Sequence, residues 1–275
     1  MVVASRVYRR VVLSFINSFF VLVFVAVLFI VVTTLLSRFG GARAAMFLVT
    51  ILGGTAFLMF LLSELCVVAL TRARIADPKE HRRFTDSMEQ LCGARGFQVP
   101  RLYVFDNDTP NAAAFGPGLP YMAAVGVTTS ILKLLDDEEL KGVLAHEMAH
   151  VRCRDIGLMT VLALLTDGAS QLSRQLLKQG GAIQGTAAGA ALQAFVWLLN
   201  NVLLKLARGA LMQEREYAAD ALGALYCGTS RPLSSALSKL GKSHAPRETS
   251  VLDSLFISHP QMKDRIDALA SYSQR

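Results

Sequence analysis

Two long uncharged segments near the amino terminus most constrain what this chain can fold into. Residues 11–36 carry no charged side chain over 26 positions, and residues 44–63 form a second such run of 20. A helix needs about 20 apolar residues to cross the roughly 30 Å hydrocarbon core of a bilayer. The apolar part of a cleaved secretory signal is shorter, about 7–15 residues. The sequence therefore predicts a transmembrane hairpin in residues 1–71, with spans at about 11–36 and 44–70.

Basic residues predict the orientation of this hairpin, because Lys and Arg are enriched in cytoplasmic loops. Three arginines lie among the first ten residues, and five basic residues lie between positions 72 and 83. The connection between the two runs holds only Arg38 and Arg43. We therefore expect a multi-pass integral membrane protein whose remaining chain faces the cytoplasm.

Composition and charge restrict the partners of the chain. Hydrophobic residues make up 53% of it and charged residues 18%, whereas about a quarter of an ordinary soluble domain is charged. The net charge of +7 arises largely near the ends of the predicted hairpin, without the basic and aromatic interleaving of a nucleic-acid surface. The lipid bilayer is thus an expected partner and nucleic acid is not. The four cysteines form no CxxC pair, which argues against a zinc finger or a disulfide framework.

Residues 72–275 are predicted to form an α+β domain that is mainly helical with a small β-sheet. The apolar stripe of Phe84, Met88, Leu91 and Cys92 indicates a helix. Strands are predicted at residues 102–105, 111–115 and 122–127. Four acidic residues at 136–139 favour the start of a helix that continues to about residue 154. Residues from 213 onward also have helical periodicity.

Residues 156–211 allow two interpretations. They contain two further apolar stretches, at 156–166 and 187–204, and glycines four residues apart at 181, 185 and 189. Such glycines let helices pack closely inside a bilayer. The segment is therefore expected to be a second membrane hairpin that interrupts the domain, which gives two to four transmembrane helices. The alternative is two helices buried in a soluble core, because each run is marginal in length.

The most informative motif is the HEXXH sequence of residues 146–150. Residues four apart on a helix lie on one face, about 6 Å apart along its axis, so His146 and His150 can bind one tetrahedral metal ion. Glu147 then has the position of a general base for an attacking water molecule. The motif predicts a catalytic zinc site with one Zn²⁺ per chain.

A catalytic zinc ion needs a third protein ligand and an open fourth position. Glu216 and Asp220 lie four residues apart, so both can face the metal helix. One of them would bind the ion and the other would orient a histidine ligand. Glu214 competes on position alone, and the spacing does not decide between these residues. A structural zinc site would need a fourth ligand, and none is apparent in the sequence.

These motifs resemble the HtpX-like membrane zinc metalloproteases, which share the HEXXH peptidase family with the CAAX prenyl proteases. The resemblance spans nearly the whole chain and is carried by residues 110–112, 124–129, 139–140, 143–150, 155, 215–220, 258–260 and 265–266. It implies a zincin-like metalloprotease domain with His146, His150 and Glu216 as zinc ligands and Glu147 as the base.

The resemblance implies three further roles. Asp220 would orient a ligand, His259 would donate to the developing oxyanion, and Asn111 would contact the substrate backbone. Two departures are visible. Asn111 is followed by Ala112-Ala113-Ala114-Phe115 where the family has Ala-Phe-Ala, so the segment expected to contact substrate departs from the family pattern. Met212-Gln213 also replaces the Ser-Arg of the family.

The function implied by the resemblance is that of a zinc-dependent endopeptidase integrated in a bacterial-type inner membrane, with its active site facing the cytoplasm. Its expected partners are protein or peptide substrates, mainly misfolded or damaged membrane proteins removed in quality control under stress. An edge strand near residues 122–127 is expected to bind them by strand addition. Two alternatives are a CAAX-type prenyl-protein protease and a non-catalytic membrane adaptor that keeps the zinc fold.

Overall fold

The computed structural model describes residues 60–154, 204–243 and 262–273, together with positions 54, 57, 58, 156, 157 and 160, and for residues 204–213 the backbone alone. The predicted span at 11–36, about half of the span at 44–70, most of residues 156–211 and His259 lie outside the described residues. Among the helices described, none combines the length and the apolar character that a membrane crossing requires.

The described chain is mainly helical and contains one small mixed sheet, as the sequence predicted. In chain order its elements are α1 (Ser63–Thr71), β1 (Arg74–Ile75), α2 (Arg82–Arg95), β2 (Arg101–Phe105), β3 (Ala112–Phe115), a 3-10 turn (Pro120–Met122), β4 (Ala124–Thr128), α3 (Thr129–Leu134), α4 (Asp137–Cys153), α5 (Leu204–Cys227), α6 (Arg231–Ser243) and α7 (Met262–Ser273).

The sheet has the strand order β1-β2-β4-β3. Strand β4 pairs in parallel with β2 and antiparallel with β3. The expectation of an edge strand near residues 122–127 is therefore wrong, because β4 lies between two partners. All five of its residues are buried, as is usual for an interior strand with a continuous apolar sequence. The edge strand on this side of the sheet is β3.

The main core lies between one face of the sheet and helices α2 to α7. The predicted stripe on α2 is confirmed, since Phe84, Met88, Leu91 and Cys92 are all buried. The helix ends at Gly96, whose φ of 64° suits a residue without a side chain. Leu140, Leu144 and Met148 of α4 belong to the same core, which fixes the rotation of this helix about its axis.

The opposite face of the sheet packs against α1. Val67 forms a second apolar cluster with Tyr103, Phe105 and Phe115. Glu64 of α1 accepts a hydrogen bond from the Tyr103 hydroxyl at 2.9 Å and pairs with the Arg101 guanidinium. The helix that ends the predicted membrane hairpin is thus joined directly to the sheet.

Candidate metal centre

Helix α4 begins with a complete capping box. The Asp136 side chain accepts from the Glu139 N–H at 2.9 Å, and the Glu139 side chain accepts from the Asp136 N–H at 3.0 Å. Both bonds satisfy donors that the first turn of a helix leaves open. From this start the helix brings His146 and His150 to one face, where their Nε2 atoms lie 3.2 Å apart.

Helix α5 brings Glu216 to the two histidines. Its Oε2 atom lies 3.5 Å from Nε2 of His146, and its Oε1 atom lies 3.4 Å from Nε2 of His150. The approach is close because α5 has Gly223 against α4, where a β-carbon would lie 3.0 Å from the backbone N of His146. A larger residue at position 223 would push Glu216 away from the histidines.

The three side chains fit a tetrahedral zinc ion. Ligands at about 2.0–2.1 Å from such an ion are separated by about 3.4 Å. The two Nε2 atoms are 3.2 Å apart, and each oxygen of Glu216 lies 3.4 or 3.5 Å from a different one of them. One ligand atom from each residue lies within 4.8 Å of the other two. Two imidazoles and one carboxylate are also a ligand set of catalytic zinc. His146, His150 and Glu216 can therefore hold a metal ion.

Asp220 contacts the His146 ligand on the ring nitrogen opposite Nε2, and Arg265 contacts both Asp220 and Glu216. Oδ1 of Asp220 lies 2.9 Å from Nδ1 of His146. A proton on Nδ1 satisfies this contact and leaves the Nε2 lone pair for a metal. Arg265 donates to both Asp220 oxygens, at 2.9 Å from Nε and 2.7 Å from Nη2. Its Nη1 atom lies 3.3 Å from Oε2 of Glu216, so one guanidinium contacts both acids.

These contacts shift the pKa values of the buried groups. Burial favours neutral Asp220, but the charge and hydrogen bonds of Arg265 outweigh it, so the pKa of Asp220 is lowered. Burial also disfavours charged His146, but hydrogen bonds to Asp220 and Glu216 outweigh it and raise the pKa of the metal-free imidazole. Asp220 is thus ionised at neutral pH and can accept from His146.

Acidic and basic side chains are buried together at the site. Glu147, Glu216 and Asp220 are buried there with Arg265, and Arg215, the residue before Glu216, is buried as well. Burying charge is costly unless it is paired, and Arg265 contacts both Asp220 and Glu216. A divalent ion held by the three ligands would add positive charge among these acids.

Glu147 lies between the metal ligands and the edge strand. Its Oε2 atom accepts a hydrogen bond of 2.7 Å from the Ala114 N–H of β3. It lines a cleft together with His146 and Asn111. The structure thus places the expected general base and the expected substrate contact in one cleft.

Three further residues bear on the metal centre: Glu214 and His259, which the sequence analysis considered, and Arg265, which it did not. Among the described residues, the group able to hold a metal contains Glu216 and not Glu214. Arg265 is a member of the site for which the sequence analysis predicted no role. Its signal was an arginine on the helical face of Leu269, and both residues are buried. His259 lies outside the described residues.

Comparisons with known proteins identify the family of this chain. The family model described as Peptidase family M48 matches residues 78–273. A protease HtpX homolog of Acidiphilium cryptum (strain JF-5) is 32% identical, covering 85% of this chain and 88% of the relative. A homolog of Ralstonia pickettii (strain 12J) is 30% identical over 95% and 97% of the two chains.

A solved structure has a similar fold. The crystal structure of Ste24p from S. mikatae aligns with a TM-score of 0.55 at 17% identity, covering 95% of this chain and 67% of that one. The family match and the HtpX homologs extend over most of the sequence. The chain therefore belongs to peptidase family M48, in its HtpX-like branch.

Proposed function

We propose that this chain is a membrane-integrated zinc endopeptidase that cleaves misfolded or damaged membrane proteins on the cytoplasmic side of the bilayer. The observation that carries the proposal is the triangle of His146, His150 and Glu216 beside Glu147. Its three side chains converge closely enough to share one ion, and two imidazoles with a carboxylate are a ligand set of catalytic zinc.

Each side chain of the site has a distinct role in this proposal. His146, His150 and Glu216 would hold the zinc ion, which would supply Lewis-acid chemistry when bound. Glu147 takes a proton from the attacking water and gives it to the leaving amine nitrogen. Asp220 keeps the Nδ1 proton on His146. His259 is retained as the donor to the developing oxyanion.

Substrate is proposed to add as a strand to the free edge of β3. Strand addition recognises the backbone more than the side chains, which suits substrates of varied sequence. The Ala114 N–H is directed to Glu147, so a chain paired with β3 would lie beside the base. Asn111 precedes β3 and lines the same cleft, where its amide can bind substrate backbone.

Membrane integration is supported by the two uncharged runs and by the chain leading into α1. Phe57, Leu58, Leu61 and Leu65 are each at least 44% exposed. Several large exposed apolar residues within one short segment are unfavourable in water and favourable in lipid. The contact of α1 with the sheet would then hold the peptidase domain at the membrane surface.

The test compares casein cleavage and zinc content in detergent-purified wild type, Glu147→Gln and Glu138→Gln. Glu138 is an exposed residue of the same helix, so its variant controls for the loss of one charge. We expect every form to bind about one zinc ion per chain. Wild type and Glu138→Gln should cleave, and Glu147→Gln should be at least about 1,000-fold slower.

Zinc binding without cleavage of casein or of a model membrane protein by wild type would contradict the proposal and favour an adaptor. Equal rates for wild type and Glu147→Gln would remove Glu147 from the mechanism.

A further inference from the structure

The edge strand β3 directs its backbone groups alternately toward β4 and away from it. The Thr128 N–H donates to the Asn111 carbonyl oxygen at 2.9 Å. In an antiparallel ladder, every second residue from Asn111 onward therefore bonds to β4. The N–H groups of Ala112, Ala114 and Gly116 point outward, where an added substrate strand would bond to them.

The first two outward donors are bonded to side chains of the cleft. The Ala112 N–H donates to Oδ1 of Asn111 at 2.9 Å, and the Ala114 N–H donates to Oε2 of Glu147 at 2.7 Å. Asn111 and Glu147 both line the cleft, and Asn111 is half-buried. Rotation of these two side chains would release both donors to a substrate.

The third outward donor is bonded to a different part of the chain. The Gly116 N–H donates to Oγ1 of Thr160 at 3.4 Å, and this hydroxyl donates to the Ile156 oxygen at 2.7 Å. Thr160 is 1% exposed. Its hydroxyl oxygen lies where a carbonyl oxygen of an added strand would have to lie.

Close backbone packing holds Thr160 at the end of β3. A β-carbon at Gly157 would lie 2.8 Å from the Pro117 oxygen and 3.0 Å from Cε2 of Phe60. A β-carbon at Gly118 would lie 3.0 Å from the Gly157 N. Because neither glycine has room for a side chain, the chain after α4 and the loop after β3 are in direct backbone contact. Such dense packing leaves Thr160 little freedom to move away.

The shape of the cleft agrees with this difference between the two ends of β3. Within the described chain, the cleft is lined by Asn111 and Ala112 and by no residue of β3 beyond them. Space for a substrate strand is therefore found before the contact of Glu147 with Ala114. The end of β3 next to Thr160 contributes nothing to the cleft.

The direction of the substrate strand decides which of its residues meet Thr160. Antiparallel pairing is the more stable and the more common arrangement. A strand antiparallel to β3 has its amino-terminal side toward Gly116. The contact of Glu147 with Ala114 places the residue before the scissile bond opposite Ala114. Because bonded residues alternate, the third residue before the scissile bond would need the Gly116 N–H.

We propose that Gly157 and Thr160 form a stop that ends the substrate-binding edge of β3 at Ala114. Substrate then makes no backbone bond to β3 beyond the second residue before the scissile bond. The inference rests on the proposed peptidase function, and in it Thr160 positions substrate without touching the reacting atoms. Since residues further upstream need not be extended, the substrates include chains cut shortly after a helix or another folded element.

The experiment measures binding of phosphinic peptides to zinc-loaded full-length protein in detergent. A phosphinic group in place of the scissile bond resembles the tetrahedral transition state, so it fixes the register without any cleavage. The peptides carry from one to five alanines before this group. In the longest peptide each upstream amide is N-methylated in turn, and loss of one paired backbone donor should raise Kd about 3- to 10-fold.

The Kd of wild type should stop falling after the second upstream alanine. N-methylation should raise Kd at the first upstream residue and leave it unchanged at the third to fifth. Thr160→Ala removes the hydroxyl from the Gly116 N–H, so the third alanine should now lower Kd about 3- to 10-fold. Thr160→Ser keeps a hydroxyl and is the matched control, with the profile of wild type.

The outcomes separate this inference from the proposed function. A wild-type Kd that keeps falling with the third alanine, or that rises when its amide is N-methylated, would overturn the stop and leave the peptidase intact. Equal profiles for Thr160→Ala and Thr160→Ser would overturn the role of Thr160. The wild-type series decides alone if Thr160→Ala does not fold. Failure of every phosphinic peptide to bind would contradict the proposed function and the stop together.

Discussion

Carboxylates form a cluster near each end of helix α4, and the two clusters differ in their partners. At the amino end, buried Glu139 accepts from Ser235 at 2.7 Å, from Lys239 at 2.5 Å and from the Asp136 N–H at 3.0 Å. Near the other end, Glu147 of α4 lies with Glu216 and Asp220 of α5, and Arg265 contacts the two α5 acids. A hydroxyl and an ammonium group close the first cluster, whereas Glu216 of the second faces two imidazoles with which it can hold a metal ion.

The difference separates a stabilising role from a binding role for similar side chains. Glu139 joins the start of α4 to α6, and its partners leave no need for a further ligand. Glu216 faces two imidazoles at distances that suit a metal ion between them. Substitutions at the metal centre should therefore reduce metal binding, whereas substitutions at the amino-terminal cluster should reduce stability and leave metal binding unchanged.

The largest effect is expected for Glu216→Ala. Loss of a ligand should reduce zinc well below one ion per chain and peptidase activity by at least about 1,000-fold. Glu214→Ala, on the same helix, should keep both. Metal analysis of the purified proteins checks this, and a full complement of zinc in Glu216→Ala would contradict the ligand assignment.

Asp220→Asn should have the next largest effect. Replacing a partner of a metal-binding histidine usually weakens metal affinity about 10- to 100-fold. Competition with a chelator measures this affinity. Asp264→Asn, an exposed change on α7, is the control. Unchanged zinc affinity in Asp220→Asn would show that the contact with His146 serves folding alone.

Glu139→Gln should lower stability without changing zinc content. The loss of charge at a buried acceptor is expected to cost about 1–3 kcal/mol, near the lower value because Lys239 is 42% exposed. The shift of the melting midpoint in detergent measures the change. A fall in zinc binding at unchanged stability would erase the distinction between the clusters.

The smallest effect is a pH dependence at the closed cluster. Hydrogen bonding to the Glu139 N–H and the nearby Lys239 lower the pKa of Asp136 from its ordinary 3.8. A carboxyl group whose pKa is lower in the folded than in the unfolded state stabilises the fold at pH values above its unfolded pKa. This stability is lost as the pH falls through the folded pKa. Asp136→Asn, which can still cap the helix, should lack this loss.

Melting midpoints of both proteins with chelator present, from about pH 6 to about pH 3, check the expectation. The midpoint of wild type should fall more steeply than that of Asp136→Asn at the acidic end. Parallel curves would show that Asp136 caps the helix without any contribution from its charge.

Local patterns predicted most of the described fold. The stripe on α2, the strands β2 and β3 and the acidic start of α4 all depend on neighbours in sequence, and each is found at about the expected place. The prediction that residues 122–127 form an edge strand was wrong, because strand order depends on pairings between distant segments. An apolar run such as residues 124–128 does not reveal whether one or two strands flank it.

The metal centre, like the fold, was predictable where it depends on neighbours in sequence and not where it depends on distant segments. The motif spacing predicted that His146 and His150 share a helical face, because four residues make about one turn. The approach of Glu216, by contrast, depends on Gly223 against α4, and the contacts of Arg265 depend on the docking of α7. Such contacts are set by packing between helices that are far apart in sequence.

X-ray absorption at the zinc edge of the purified full-length protein tests the metal centre most directly. The account expects two imidazole nitrogens at about 2.0–2.1 Å and oxygen ligands at about 2.0–2.2 Å, with no sulfur. None of the four cysteines forms a disulfide in the structure, and Cys153 lies at the end of α4. Sulfur scattering at about 2.3 Å would contradict the assignment of His146, His150 and Glu216.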